Sequence, residues 1–207
     1  MPRPARHDRN IALDKAVNLF WQRGYHATSM KHLEQALDMR PGSLYATFGS
    51  KRELFSETLN RYARQMADEL AQCLTAEADL AAGFKRYLRS LAGPCLVRAG
   101  TPPRACMVIK TLLEVNEEEP ALQQQANEVL NQMERILTEQ LKRAQAQGEL
   151  RAEVDCARLA RLLQGQVIGL RSFAQRDTDP AHIEALAEDM GELFLPYLTR
   201  ADGGKRI

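Results

Sequence analysis

The chain carries few of the side chains from which an active site is built, and none at catalytic spacing. Its four histidines, His7, His26, His32 and His182, form no HExxH pair and share no short motif with the four cysteines, Cys73, Cys95, Cys106 and Cys156. No CxxC occurs, so neither a zinc site nor a redox dithiol is expected. No serine sits in G-x-S-x-G, and no E-x-x-H marks a helical carboxylate centre. An enzyme, a metal and a cofactor are therefore not expected. Another chemistry remains. The stretch MRPGSLYATFGSKRELF, residues 39–55, gathers Pro41, Gly42, Ser43, Tyr45, Ala46 and Thr47, followed by Lys51. At a helix start, the free N–H groups of Gly42 and Ser43 favour a phosphate. The Tyr45 hydroxyl can reach another. Ala46 and Thr47 are short enough to meet a base edge or a thymine methyl, and Lys51 would hold the backbone from the side. These groups suit double-stranded DNA.

Such groups act only if helices hold them. Leu13, Ala16, Val17 and Phe20 recur at helical spacing, and Gly24 then stops that helix. Ser29 is the expected N-cap of a short helix bearing Met30, Leu33, Ala36 and Leu37. After a break at residues 38–40, Pro41 stands where a helix begins, since its missing N–H costs nothing there. Leu44 and Phe48 would be the buried edge of that third helix. Ser50 and Glu53 read as a capping box that starts a fourth, running to about residue 74. Helix, tight turn, helix over residues 29–48 is the spacing of a helix-turn-helix, whose second helix enters the major groove. A surface helical hairpin with no ligand is the other reading of the same spacing.

The remainder also reads as helix, with segments near 79–92 and 103–116 separated by Gly93-Pro94 and the Gly100–Pro103 break. From Pro120 an apolar stripe runs through Leu122, Val129, Met133, Ile136 and Leu141 until Gly148 ends it. Asp155 caps a helix near 155–176, and Asp179-Pro180 opens one through Tyr197, near 180–198. No segment alternates with period two, so the expected class is all-α. The expected organisation is an N-terminal three-helix helix-turn-helix domain, 1–55, and a C-terminal helical bundle, 56–207.

Charge supports the division. Residues 1–55 hold nine Lys/Arg and five Asp/Glu, net +4, whereas the whole chain is +1, which leaves the rest at −3. A basic first quarter points to a polyanion, though a chance surface imbalance gives the same count. There is no run of about 18 apolar residues for a membrane span and no secretion signal, so a cytosolic protein with free thiols is expected.

Taken as a whole, GYHATSMKHLEQALDMRPGSLYATFGSKRELF resembles the DNA-binding signature of the TetR family of bacterial transcriptional regulators. The likeness lies in G-Y-x-x-T-S, the G-S-L-Y-x-x-F core and the G-S-K-x-x-L-F that follows, over roughly residues 9–55. It implies DNA contacts from Ser29, Lys31, Arg40, Pro41, Gly42, Ser43, Tyr45, Thr47 and Lys51. Two positions depart from the family pattern: Asp38 replaces the usual turn Gly, and Arg40 replaces the usual Ser/Thr cap. The operator sequence therefore does not carry over.

The resemblance further implies a homodimer whose last two helices pair, with an effector pocket in the C-terminal domain. The expected interface residues are Gly165, Gly169, Leu186, Met190 and Phe194; burial of these faces within one subunit is the alternative. The two recognition helices must then stand about 34–36 Å apart. Phe84, Met107, Met133 and Phe173 are candidates to line the pocket, or equally to be plain core. Arg104-Ala105 and Lys110 differ from the segment similar regulators carry there. Cys106 lies one turn before Lys110, a spacing at which the cation would favour a reactive thiolate; an inert packed cysteine fits the same spacing. The resulting expectation is a repressor released from a palindromic operator by a small-molecule or thiol-reactive effector. A constitutive or architectural DNA-binding protein is the alternative.

Overall fold

The computed structural model describes residues 6–93, 106–115 and 119–199, the first three of these by backbone only. Cys95, the Gly100–Pro103 break, Arg104-Ala105 and residues 1–5 lie outside the described residues. Among the described residues there are nine α-helices: α1 Arg6–Arg23, α2 Met30–Leu37, α3 Pro41–Phe48, α4 Lys51–Ala76, α5 Leu80–Ala92, α6 Met107–Glu114, α7 Pro120–Ala146, α8 Cys156–Phe173 and α9 Pro180–Glu192. The only pairing of extended residues described is an isolated bridge between Leu150 and Leu198. No described helix is long and apolar enough to cross a membrane. The described residues form two compact units: 6–66 with 106–131, and 67–93 with 132–199.

The first unit is built around aromatic side chains. Phe20 of α1 meets Phe55 of α4 edge-on at 4.8 Å, and Tyr25 lies against Phe55 at 4.9 Å. Leu33, Leu44, Leu54, Leu59 and Tyr62 are buried around them. Apolar residues three and four apart give each helix one stripe, and those stripes meet here. A bidentate ion pair from Arg61 to Asp14, and one from Arg9 whose Nη2 reaches both Glu57 oxygens, tie α1 to α4 at the rim. Gly24 has φ 81°, and a β-carbon there would collide with the Glu114 carboxylate, so both the turn and the close approach require glycine.

Local rules set the boundaries. The Ser29 hydroxyl accepts from the His32 N–H at 3.2 Å, while His32 Nδ1 accepts from the Ser29 N–H at 3.1 Å. This is a capping box with histidine in the place of the usual Glu or Gln. Ser50 and Glu53 make the expected box, at 2.7 and 3.2 Å. Asp38 closes α2 in the left-handed region, φ 54° and ψ 47°, and its N–H returns to the Glu34 carbonyl. Aspartate tolerates this region better than most residues; a β-branched one does not. Asp38→Val is therefore expected to lower stability by about 1–2 kcal/mol, measured by urea denaturation, and to misplace α3.

In the second unit α5 packs on α9, and Phe84, Leu88 and Leu91 of α5 and Ile183 and Ala187 of α9 are buried. Lys85–Glu192 and Arg89–Glu188 pairs run along the outside of this contact. Asp79 accepts from the Ala82 N–H at 2.8 Å and Glu149 from the Leu80 N–H at 2.6 Å, so two carboxylates satisfy the start of α5. Asp155 caps α8 as expected, and the N–H of Arg158, then that of Ala157, hold its carboxyl below the usual range.

The final helix is shorter than its apolar repeat suggests. α9 ends at Glu192, and Leu195–Tyr197 forms a single 3-10 turn. Pro196 is the reason: it has no N–H to return to the Glu192 carbonyl four residues back, and its ring crowds that carbonyl. Phe194 consequently turns inward, only 2 % exposed, with its ring 5.9 Å from that of Phe84. Its expected place on a dimer face is thus corrected.

Candidate nucleic-acid interface

The α2–α3 pair presents α3 as the sequence requires. Leu44 and Phe48 are buried, at 1 % and 4 % exposure, and the Arg9 guanidinium lies over the Phe48 ring at 4.9 Å. The opposite face is open. Arg40, Pro41, Gly42, Ser43, Tyr45 and Ala46 are all exposed, and Thr47 is half-buried. Tyr45 is 49 % exposed, large for an aromatic residue on a helix whose other aromatic is core. Ser29 and Lys31, at the start of α2, are exposed too.

The N-terminus of α3 has no side-chain cap, because Arg40 occupies that position in extended conformation and makes no capping bond. Leu44 is the first residue whose N–H returns to Arg40, at 3.0 Å. Pro41 has no N–H to offer. The N–H groups of Gly42 and Ser43 therefore point outward at the positive end of the helix, an arrangement suited to an anion. Thr47 donates its hydroxyl to the Ser43 carbonyl at 2.7 Å, which commits that proton inside the helix. Its methyl and remaining lone pairs are what it can offer a base, which suits a thymine methyl better than a base acceptor.

Lys51 is differently situated. Its Nζ stands 4.3 Å from the centroid of the Tyr25 ring, and the side chain is half-buried. Burial pushes its pKa down, while the carboxylates of Glu119 and Glu114 oppose that shift. Tyr25 donates its phenol to Glu119 Oε1 at 2.9 Å and its N–H to Glu114 Oε2 at 2.7 Å. Burial first, then this bond to Glu119, pushes its phenol up to about 12. His26 Nε2 lies 3.1 Å from the Glu114 carbonyl oxygen, and Lys110 donates to the Gln22 carbonyl at 3.0 Å. Sequence reasoning missed Tyr25, Glu114 and Glu119 as neighbours of Lys51. Residues 94 apart carry no local signal of contact.

The expected effector residues are dispersed. The second unit holds an apolar cavity of about 20 Å³, lined by Ala67, Leu70, Tyr87, Met133, Ile136, Leu137, Gln164 and Val167. That is room for little more than one water. Of the expected set only Met133 lines it. Phe84 is core against Tyr87 and Phe194, and Phe173 is half-buried under the Arg176 guanidinium at 4.8 Å. Cys106 and Met107 are buried in the first unit. Lys110 donates from its ammonium to the Gln22 carbonyl, and the Cys106 thiol is buried.

The expected interface glycines face outward. Gly165 and Gly169 are exposed, and a β-carbon at Gly165 would meet nothing within 4 Å. One at Gly169 would lie 3.9 Å from the Met190 methyl. Leu186 and Met190 are half-buried. Leu162, Leu193 and Leu195 are exposed at 46 %, 61 % and 45 %.

Comparison with known proteins agrees with this geometry. Residues 12–58 match the family described as bacterial regulatory proteins, tetR family, and residues 79–190 match the tetracyclin repressor-like C-terminal domain. The chain is 32 % identical to the HTH-type transcriptional repressor ComR of Escherichia coli K12 over 190 residues, covering 91 % of this chain and 88 % of that protein. It is 28 % identical to the HTH-type transcriptional regulator YezE of Bacillus subtilis, over 86 % of this chain and 92 % of that one. Among solved structures, a cysteine mutant of the TetR family regulator CifR, complexed with 26 bp double-strand operator DNA, superposes with a TM-score of 0.79. It shares 29 % identity and covers 93 % of this chain and 98 % of that one. An exposed, uncapped helix start on a basic helix-turn-helix, matched over both parts of the chain, leads to one conclusion: the protein belongs to the TetR family of bacterial regulatory proteins and is a DNA-binding transcriptional regulator.

Proposed function

We propose that this regulator is a homodimeric repressor that binds a palindromic operator through α3 and leaves it on binding an effector. In this reading residues 1–55 bind DNA, and residues 56–207 dimerise and sense. The observation that carries it is the open N-terminus of α3. Two outward N–H groups, the exposed Tyr45 and the exposed Arg40 stand beside Lys51 on one small unit. Ser29 and Lys31 would meet backbone phosphates from α2, the Gly42 and Ser43 N–H groups would meet another, and the Pro41, Ser43 and Thr47 side chains would approach the base edges. ComR is a repressor and CifR is bound to operator DNA, which supports the repressor and the DNA-binding parts of the reading. The protein would act in the cytoplasm, where that DNA is.

Dimerisation is assigned to the outer faces of α8 and α9, where Leu162, Gly165, Gly169 and Leu193 leave apolar surface uncovered. Gly165→Arg is the direct check, because the protomer has open space at that position. The variant is expected to keep its melting temperature per protomer at high dilution, sediment as a monomer, and lose at least 30-fold in operator affinity. A variant that still sediments as a dimer moves the interface elsewhere. The effector is assigned to the small apolar cavity around Met133, which must open to admit a ligand larger than water.

Titration of the protein against duplexes from its own upstream region, followed by fluorescence anisotropy, tests the whole reading. Release of the duplex by an apolar compound or by a thiol oxidant supports the sensor. Indifference to every compound leaves a constitutive DNA-binding protein. Failure to bind any duplex at low salt removes the assignment of α3.

A further inference from the structure

We propose that Tyr25 and Glu119 are positioning residues for Lys51: they hold its ammonium within the protein and set how readily it transfers to a DNA phosphate. This rests on the reading above, in which Lys51 meets the operator backbone. Three observations lead to it. First, Lys51 sits over the face of Tyr25 at 4.3 Å, within range of a cation–π attraction. Second, that ring is fixed: Tyr25 is 6 % exposed, wedged against Phe55 and His26 and held through its own N–H by Glu114. Third, the Tyr25 phenol donates to the Glu119 carboxylate at 2.9 Å.

The last contact gives the arrangement its direction. A phenol that donates to an anion gains electron density in its ring, and a richer ring holds a cation more firmly. Glu119 therefore reaches Lys51 twice, through the ring and directly through space. The opposing influences on the Lys51 charge fit this picture: burial disfavours the ammonium, while Glu119 and then Glu114 favour it. A phosphate arriving at the start of α4 must compete with both. A lysine held back neutralises no phosphate and releases no counterion, so the arrangement is written into the salt dependence of binding as well as its strength. It also makes the carboxylates of Glu114, at the end of α6, and Glu119, just before α7, part of the DNA-binding chemistry.

A double-mutant cycle tests this, using a labelled duplex selected by the wild-type protein from a random library. Glu119→Gln keeps an acceptor for the phenol and removes the charge. It is expected to bind about 3- to 10-fold more tightly and to steepen the log K against log salt slope by up to about 0.9. In a Lys51→Ala background the same change should alter affinity less than about 1.5-fold, because the group it acts through is gone. Tyr25→Phe keeps the ring, removes the relay and should shift affinity in the same direction. Glu128→Gln, on the exposed side of α7, serves as the charge control and should show no Lys51-dependent gain. The proposal is overturned if Glu119→Gln binds no tighter, or if its gain survives in the Lys51→Ala background. If Lys51→Ala binds as well as wild type, the phosphate role of Lys51 falls and takes this proposal with it. If the wild type binds no duplex, the function itself falls.

Discussion

A Gly42→Glu protein is expected to fold at least as well as the wild type and to lose operator binding. The position is exposed, and a β-carbon there meets nothing within 4 Å. Replacing Gly within a helix by a good helix former gains roughly 0.5–1 kcal/mol. A carboxylate in the first turn also complements the positive end of α3, for about 0.3–1 kcal/mol more. The melting temperature should therefore rise slightly. The same carboxylate would sit where a phosphate must approach the Gly42 and Ser43 N–H groups. Like-charge repulsion at that range, with the amides obstructed, should cost about 2–3 kcal/mol, or roughly 30- to 150-fold in affinity. Anisotropy titration beside a thermal melt reads both effects. A stable variant that binds as tightly as wild type would remove α3 from the interface, since no loss of folding could account for the result.

Phe55→Ala should do the reverse, destroying stability without touching any group assigned to DNA. Phe55 is 1 % exposed and joins Phe20, Tyr25 and the start of α4 in one cluster. Truncating a buried Phe to Ala costs about 3–5 kcal/mol, combining lost transfer energy with the cavity left behind. Domains are stable by about 5–15 kcal/mol, so much of the margin would be gone. Urea denaturation followed by circular dichroism should show the midpoint falling sharply at unchanged slope. Tyr45→Ala, on the opposite face, should change stability by no more than about 0.5 kcal/mol. A loss below about 1 kcal/mol for Phe55→Ala would mean that the first unit is not organised around this cluster.

The contrast between these variants tracks what local sequence can express. Ser29, Pro41, Ser50, Asp155 and Asp179 stand at helix starts because capping depends on residues two or three positions away. Apolar spacing likewise placed Leu44 and Phe48 inside and Tyr45 outside. The repeat failed at Pro196, where apolar residues continue at helical spacing but the backbone cannot, and Phe194 turned inward as a result. The cap at Ser29 was legible, while its reciprocal partner His32 was not, because imidazole is an unusual third residue for that motif. Cavity-lining residues were largely missed because a gap is a property of three or four helices together. The spacing of Met133 is no different from that of a residue packed solid.

Tyr25 also has a history in the making of the chain. Its phenol cannot meet Glu119 until a further 94 residues have been added. At about 5–20 residues per second this is an interval of roughly 5–20 s on the ribosome. Once α3 and Lys51 have been made, the 68 residues 52–119 remain to be added, about 3–14 s at the same rate, in which α1, α2 and α3 can already pair around Leu33 and Leu44. In the proposed arrangement the carboxylate hold on Lys51 would thus be among the last contacts of the first unit to form.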